Sequence, residues 1–324
     1  MSYTDYPHGI TSFGVPVVPS VNTGLVTGAV YFVCSAAGGS DKWFAGVNDP
    51  ACGQFKTPFA SIDYAIGKCT ASQGDVIYVL PGHTESIAAA GGIAVDVAGV
   101  SVVGLGSGSL RPTITLGTAT TASVTMAAAN TSLENCIFSA HLDNIATCFT
   151  VSAKDVTIKN NEFKDESNAL HFFSCITTSA VANACDGLTI INNKRNGLAA
   201  AATAFISVLE GNDRCSFINN RVVDAAATGD VGHFVTLSTF NLTNAEIAYN
   251  KLILPAASAV AVGMFMTGSG TGQTGVVHNN YVHAIDTTSA LFCTATLTFG
   301  LFENYQSGLV NGSGMLWPAA DTPS

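Results

Sequence analysis

The chain predicts an all-β fold, a solenoid in which one strand-turn-strand unit is stacked on itself, and two observations carry that expectation. The first is an Asn-centred pattern: Leu133-Glu134-Asn135-Cys136, Ile158-Lys159-Asn160-Asn161, Ile190-Ile191-Asn192-Asn193, Phe217-Ile218-Asn219-Asn220, Ile247-Ala248-Tyr249-Asn250, Val277-His278-Asn279-Asn280 and Leu301-Phe302-Glu303-Asn304. Its second turn position falls at 136, 161, 193, 220, 250, 280 and 304, in steps of 24 to 32 residues, the period of solenoids, propellers and arrays. The second observation is that short β-branched or aromatic runs flank each polar pair, as strands flank a tight turn. Asn is the best non-Gly residue where a turn needs positive φ, and stacked Asn amides can bond to the coil above and below. The expected turn ladder comprises Asn135, Asn160, Asn161, Asn192, Asn193, Asn219, Asn220, Asn250, Asn279, Asn280 and Asn304. Asn-rich turns recur in other all-β proteins too, but seven occurrences in one frame favour the stack.

Before the coils, residues 1–28 carry Pro7, Pro16 and Pro19 among four glycines and show no sustained periodicity, so an extended arm is expected. Tyr3, Tyr6, Phe13, Val15, Val17 and Val18 make it too apolar for a solvated linker. Such an arm cannot bury enough surface alone to offset its ordering entropy, so docking on another subunit is expected. Ala29-Val30-Tyr31-Phe32-Val33 reads as a strand, followed by a polar loop over 36–57. A helix is expected from Pro58, with Thr57 as N-cap and Phe59, Ile62, Ala65 and Ile66 on its apolar face. Gly74-Asp75-Val76-Ile77-Tyr78-Val79-Leu80-Pro81-Gly82 is then a buried strand ended by a Pro-Gly turn.

These residues resemble the entry motif of the pectate-lyase-like, right-handed parallel β-helix superfamily: strand, loop, Thr-Pro-Phe helix, then Gly-Asp-x-Ile-x-Val-x-Pro-Gly. The resemblance implies a single-stranded right-handed parallel β-helix whose N-terminal end is capped by the helix. The expected boundaries are 1–28 for the arm, 29–74 for strand, loop and capping helix, 75–305 for the coils and 306–324 for a tail. In the early coil Gly99 to Gly106, Gly stands where later coils use Asn. Met315, Leu316, Trp317 and Pro318 are available to cover the last coil, within the chain or between subunits.

Composition narrows the function. Only 10% of the 324 residues are charged, against roughly a quarter in ordinary domains. The net charge of -10 comes from 22 acids against 12 bases with no basic run, which argues against nucleic-acid binding. The apolar stretches are broken by Thr, Pro and Gly, so no membrane span is expected. The start has neither a basic nor an apolar leader region, and folding in the cytoplasm is expected. Nine cysteines, odd in number and without CxxC spacing, read as buried free thiols, with a Cys34 to Cys52 bridge as the alternative.

Polysaccharide lyases of this fold need a cationic base, often with Ca²⁺, and hydrolases need converging carboxylates. The candidate carboxylates are Asp155, Glu162, Asp165 and Glu166, with Asp186, Glu210, Asp213 and Asp224 on neighbouring coils. Asp165 and Asp224 share a repeat position, four past the turn Asn, so a site at Asp165, Glu166 and Asp224 is the minority reading against a solvated rim of loops. His141 and His171 could approach Glu166, although a lone His in such loops is more often a hydrogen-bonded structural residue than a catalyst, and Asp41, Asn48 and Asp49 offer oxygen donors without EF-hand spacing. Arg214 and Arg221 flank one coil's strand and turn, where stacking or a surface ion pair is sufficient. No catalytic residue, metal or cofactor is expected.

The arm segment Tyr6-Pro7-His8-Gly9-Ile10-Thr11-Ser12-Phe13-Gly14-Val15-Pro16, followed by the entry motif, is similar to compact β-helix proteins encoded among the head genes of tailed bacteriophages. That resemblance implies a structural virion protein, a capsid decoration protein and homotrimer that grips the major capsid protein by its arm. The alternative is a tailspike or depolymerase acting on host surface glycan.

Overall fold

The computed structural model describes residues 11–12, 15–16, 28–36, 44–198, 204–224, 233–238, 242–258, 265–268, 272–286, 297–309 and 314–316. They form a right-handed parallel β-solenoid with three walls. The first wall has ten strands, from Val30–Val33 to Gly300–Phe302; the second also has ten, from Thr84–Ile87 to Gly314–Leu316. The third has seven, from Ile93–Val95 to Met266–Thr267. From Val76–Val79 to Met266–Thr267 each coil passes through the walls in that order, and its strands pair in parallel with those of the next coil.

Alternation decides which side chains enter the rod. In Val76–Val79, Ile77 and Val79 are buried while their neighbours face outward. Register then piles like on like: Ile77, Val102, Leu133, Ile158, Ile190, Phe217, Ile247 and Val277 succeed one another in one inner column, all fully buried. Each such side chain contributes roughly 2 kcal/mol by leaving water. Phenylalanines form a second spine, in which Phe138 stacks on Phe163 at 5.8 Å and Phe234 on Phe265 at 4.7 Å, with Phe205 between Phe163 and Phe234.

The Asn pair divides its labour. The first position takes the left-handed backbone: φ is 60° at Asn135, 58° at Asn160, 57° at Asn192, 54° at Asn219 and 52° at Asn279, and Tyr249 and Glu303 adopt it too. The second position points inward. Asn161, Asn193, Asn220, Asn250, Asn280 and Asn304 are all buried, and each Oδ1 accepts the backbone N–H of the equivalent residue one coil earlier, at 2.8–3.1 Å. Their Nδ2 groups donate to the carbonyls of Leu133, Ile158, Ile190, Phe217, Ile247 and Val277. Cys136 starts the column as a backbone donor to Asn161. In the earlier corners Gly82 and Gly106 carry the positive φ, and Gly104 accepts from Asn135 Nδ2.

The N-terminal end departs from expectation in one respect. The helix is Ile62–Ile66 with Ser61 as N-cap, not a helix from Pro58 capped by Thr57. Phe59 is instead drawn into strand-like pairing, its N–H donating to Phe32 and its carbonyl accepting from Cys34. Asn48 Oδ1 accepts from Ala60 and Ser61, and Glu85 caps Ile62 N–H at 3.0 Å. Ile62, Ala65 and Ile66 are buried against the first coils, while Asp63 accepts the edge N–H of Ala94, so the helix covers the open third wall.

Of the arm residues, Tyr3, Tyr6, Phe13, Val17 and Val18 lie outside the described residues. Val15 falls in the strand Val15–Pro16, which pairs antiparallel with Thr11–Ser12, a short hairpin where the sequence suggested only extended chain. At the other end the last coil's strand runs on through Asn304–Leu309, past the expected limit at 305. Gly314–Leu316 then turns back antiparallel on it, with Met315 opposite Tyr305. Among the described residues no helix is long and apolar enough to cross a membrane.

The ladder gives a direct test. Asn220→Ala leaves Asn193 N–H and the Ile190 carbonyl buried without their partner, and chemical denaturation should show a loss of about 3 kcal/mol. Asn219→Gly, which keeps the left-handed turn, should change stability by less than about 0.5 kcal/mol.

Candidate functional site

Two polar clusters stand out, one inside the rod and one on its surface. The inner one is built on Arg195. Its strand, Lys194–Gly197, lies between Glu162–Asp165 and Arg221–Asp224, and register puts Arg195 in the inward column between Phe163 and Val222. The side chain is 1% exposed. Nη2 lies 3.4 Å from Asp165 Oδ2 and 3.9 Å from Asp224 Oδ2, and the guanidinium donates to the carbonyls of Phe172 and Ala204. Asp165 also accepts from the N–H groups of Phe172 and Leu198. Gly197 occupies the strand-end position between the two aspartates, and a Cβ there would lie 2.9 Å from the Asp224 carboxyl carbon and 3.1 Å from Arg195 Nε. Glycine therefore leaves the slot that the guanidinium fills. Burial opposes the charge on Arg195, but Cys175, Asp165 and Asp224 outweigh it and hold the pKa above its usual value.

This corrects the carboxylate reading. Asp165 and Asp224 do share a column, yet they are 2% and 4% exposed and face the core, so they form neither a cleft nor a solvated rim. Only Glu166 of that trio faces outward. Arg195 itself was readable as the residue two past the second turn Asn, where other coils place Phe163, Val222 and Leu252.

The outer cluster lines a groove of about 390 Å³ on the second wall. The segment around Gly108–Leu110 stands beside strands Thr113–Leu116, Ile137–Ala140 and Glu162–Asp165, and the lining includes Arg111, Ser139, His141, Glu162, Lys164 and Glu166. Glu162 is ion-paired with Arg111, accepts from Asn196 Nδ2 at 2.5 Å and lies 3.5 Å from Lys194 Nζ. Glu166 Oε1 accepts from Ser139 at 2.6 Å and Lys164 at 2.8 Å, with His141 Nε2 at 3.5 Å. The hydrogen bonds from Lys164 and Ser139 hold the Glu166 carboxyl below its ordinary range. A general acid needs the opposite shift, so the groove presents two engaged carboxylates among cations.

Of the other expected residues, Arg221 is exposed and has none of the expected ion pairing among the described residues. Asp186 pairs with Lys154 at 2.9 Å and accepts from Asp213 N–H. Asp213 accepts from Thr243, Asn244 and Arg214, with the Asn244 and Thr243 bonds lowering its pKa. Asp155 and Arg214 take positive φ at this corner. Glu210 caps the adjacent Gly211 N–H. His171 is buried, with Nδ1 3.0 Å from the Asn168 carbonyl. Asp41 lies outside the described residues, while Asn48 accepts the N–H groups of Ala60 and Ser61 before the helix and Asp49 that of Ala51 in its own loop. Among the described residues no three His, Cys, Asp or Glu are grouped to hold a metal ion. No disulfide joins Cys34 to Cys52, and the eight described cysteines carry thiols. Burial pushes Cys136, Cys175 and Cys215 up to about 12.

Comparison with known proteins adds the following. No family model matches the chain, and no curated protein matches it. Among solved structures, a rhamnogalacturonan lyase is similar at 13% identity and a TM-score of 0.45, covering 90% of each chain. An endo-xylogalacturonan hydrolase from Aspergillus tubingensis matches at 10% identity and a TM-score of 0.28, over 89% of this chain and 98% of that one. A GH136 lacto-N-biosidase from Eubacterium ramulus matches at 10% identity and a TM-score of 0.27, over 86% and 67%. The chain's own strand order is that of a parallel β-helix.

Arg195→Met strands two buried carboxylates and should lower the unfolding free energy by about 3–5 kcal/mol, part of which Asp224→Asn should restore in calorimetry. Glu166 has its folded pKa below its unfolded one. Its contribution is therefore complete above pH about 4.3 and is lost as pH falls through the lower folded value. With the carboxylate partly exposed, this amounts to less than about 1 kcal/mol. Lys164→Met should raise the Glu166 pKa in a carboxyl NMR titration.

Proposed function

We propose that the chain is a structural virion protein of a tailed bacteriophage, a homotrimeric capsid decoration protein that docks on the major capsid protein through its arm and stabilises the head. The carrying observation is the apolar segment 1–28, whose residues 6–16 and following entry motif are similar to β-helix proteins among phage head genes. The disposition of polar groups supports the same reading. Asp165, Asp224 and Arg195 are consumed in the core, the inner Asn column staples coil to coil, and Glu162 and Glu166 are held by neighbouring cations. A stiff rod that spends its ionic groups on itself suits a role of bridging and bracing. On this reading the protein reaches the virion after assembly in the host cytoplasm and uses no cofactor, membrane or nucleic acid.

A second reading, a tailspike or depolymerase acting on surface polysaccharide, draws on the groove, where Arg111, His141 and Lys164 stand beside two carboxylates. Copy number separates the two. Quantitative mass spectrometry of purified particles should give hundreds of copies per head, and a handful confined to one vertex would decide for the tailspike. Removal of residues 1–28 should abolish particle binding while leaving the coils folded; undiminished binding would refute anchoring by the arm.

A further inference from the structure

On the outer face of the second wall, Lys194, Arg221 and Lys251 stand opposite one another in consecutive rungs, and Tyr281 and Tyr305 continue the column. Neighbouring strands lie about 4.8 Å apart, so three cations are stacked at close to that spacing. Like charges directly opposite one another destabilise a sheet. Glu162 precedes Lys194 in the column and lies 3.5 Å from its Nζ, but it is shared with Arg111 and Asn196 and reaches neither Arg221 nor Lys251. Arg221 and Lys251 are exposed and have no ion pair among the described residues. Such an arrangement persists at a cost unless an acidic surface meets it.

We infer that this column is where a second copy of the chain docks. The charge balance names the partner. Among the described residues five bases lie on this face, Arg111, Lys164, Lys194, Arg221 and Lys251, with two acids, Glu162 and Glu166. Away from it, the described residues that are not buried carry 11 acids against 5 bases. Val223 and Ile253, half-buried, flank the column; Arg221, Tyr281 and Tyr305 are of types enriched at protein interfaces, and Lys194 and Lys251 of a type depleted there. A two-fold axis through the column would set base against base. The contact is therefore heterologous, column to acidic surface, and in the trimer proposed above it closes as a three-membered ring. This names the contact face of the trimer proposed above and rests on that part of the reading.

Sedimentation velocity of the full chain tests it. The intact protein should form one closed oligomer at low salt and loosen as salt rises. Lys194→Glu, Arg221→Glu and Lys251→Glu together should raise the subunit dissociation constant by at least about a hundredfold. The charge-matched set Lys56→Glu, Lys154→Glu and Arg214→Glu should leave it unchanged. Circular dichroism and melting confirm that both variants fold; should the reversal unfold the chain, Gln at the same three positions serves, with a loss of about tenfold. A triple variant that still associates fully overturns the contact face and spares the trimer. A monomeric intact chain at low salt overturns both. If the triple variant instead loses binding to dextran sulfate while its association is unchanged, the column serves a polyanion and the inference fails.

Discussion

In-register stacking is the constraint from which the rest of this structure follows. Each position along a coil is set about 4.8 Å from the same position in the next, so a side chain must tolerate, or profit from, a near copy of itself above and below. Aliphatic residues do so by packing, and phenylalanines by stacking. Asn does so uniquely well, because its amide both accepts from one coil and donates to another. The inner Asn column joins Cys136 to Asn304 through bonds of 2.8–3.1 Å between successive coils, buried where water cannot compete.

Charge fits that constraint badly, and the molecule's exceptions are informative for that reason. Inside, Arg195 is admitted only because Gly197 vacates space and two aspartates two coils apart close on the guanidinium. Outside, the acids of the groove and of the corner around Asp186 and Asp213 are each matched by a cation or by amide and hydroxyl donors. Set in that context, Arg221 and Lys251 stand out as adjacent exposed bases of one column with no ion pair among the described residues.

The sequence made the repeat legible because the Asn column is dictated by backbone geometry and leaves its mark in every coil. The split between a left-handed first position and an inward second one was half visible: Tyr249 and Glu303 show that the first position tolerates other residues, whereas Asn fills the second from Asn161 onward. Other features were hidden because they depend on partners far away in the chain. The helix starts at Ile62 because Asn48 and Glu85 supply its caps and Phe59 pairs with the first strand, which local propensity at Thr57-Pro58 cannot register. Asp165 and Asp224 were placed in one column correctly, but four residues past the turn is an inward position. Counting that parity would have turned a surface site into a buried one and exposed Arg195 as its counter-ion.

The reversed strand Gly314–Leu316 bears on what this rod can become. A parallel solenoid is its own template, and its final rung invites another molecule to continue the pile indefinitely. On the second wall that invitation is withdrawn, since the terminal ladder of Asn304–Leu309 is occupied by chain running the opposite way. A fibril growing in parallel register along this axis would first have to displace that segment from Asn304, Tyr305 and Gln306.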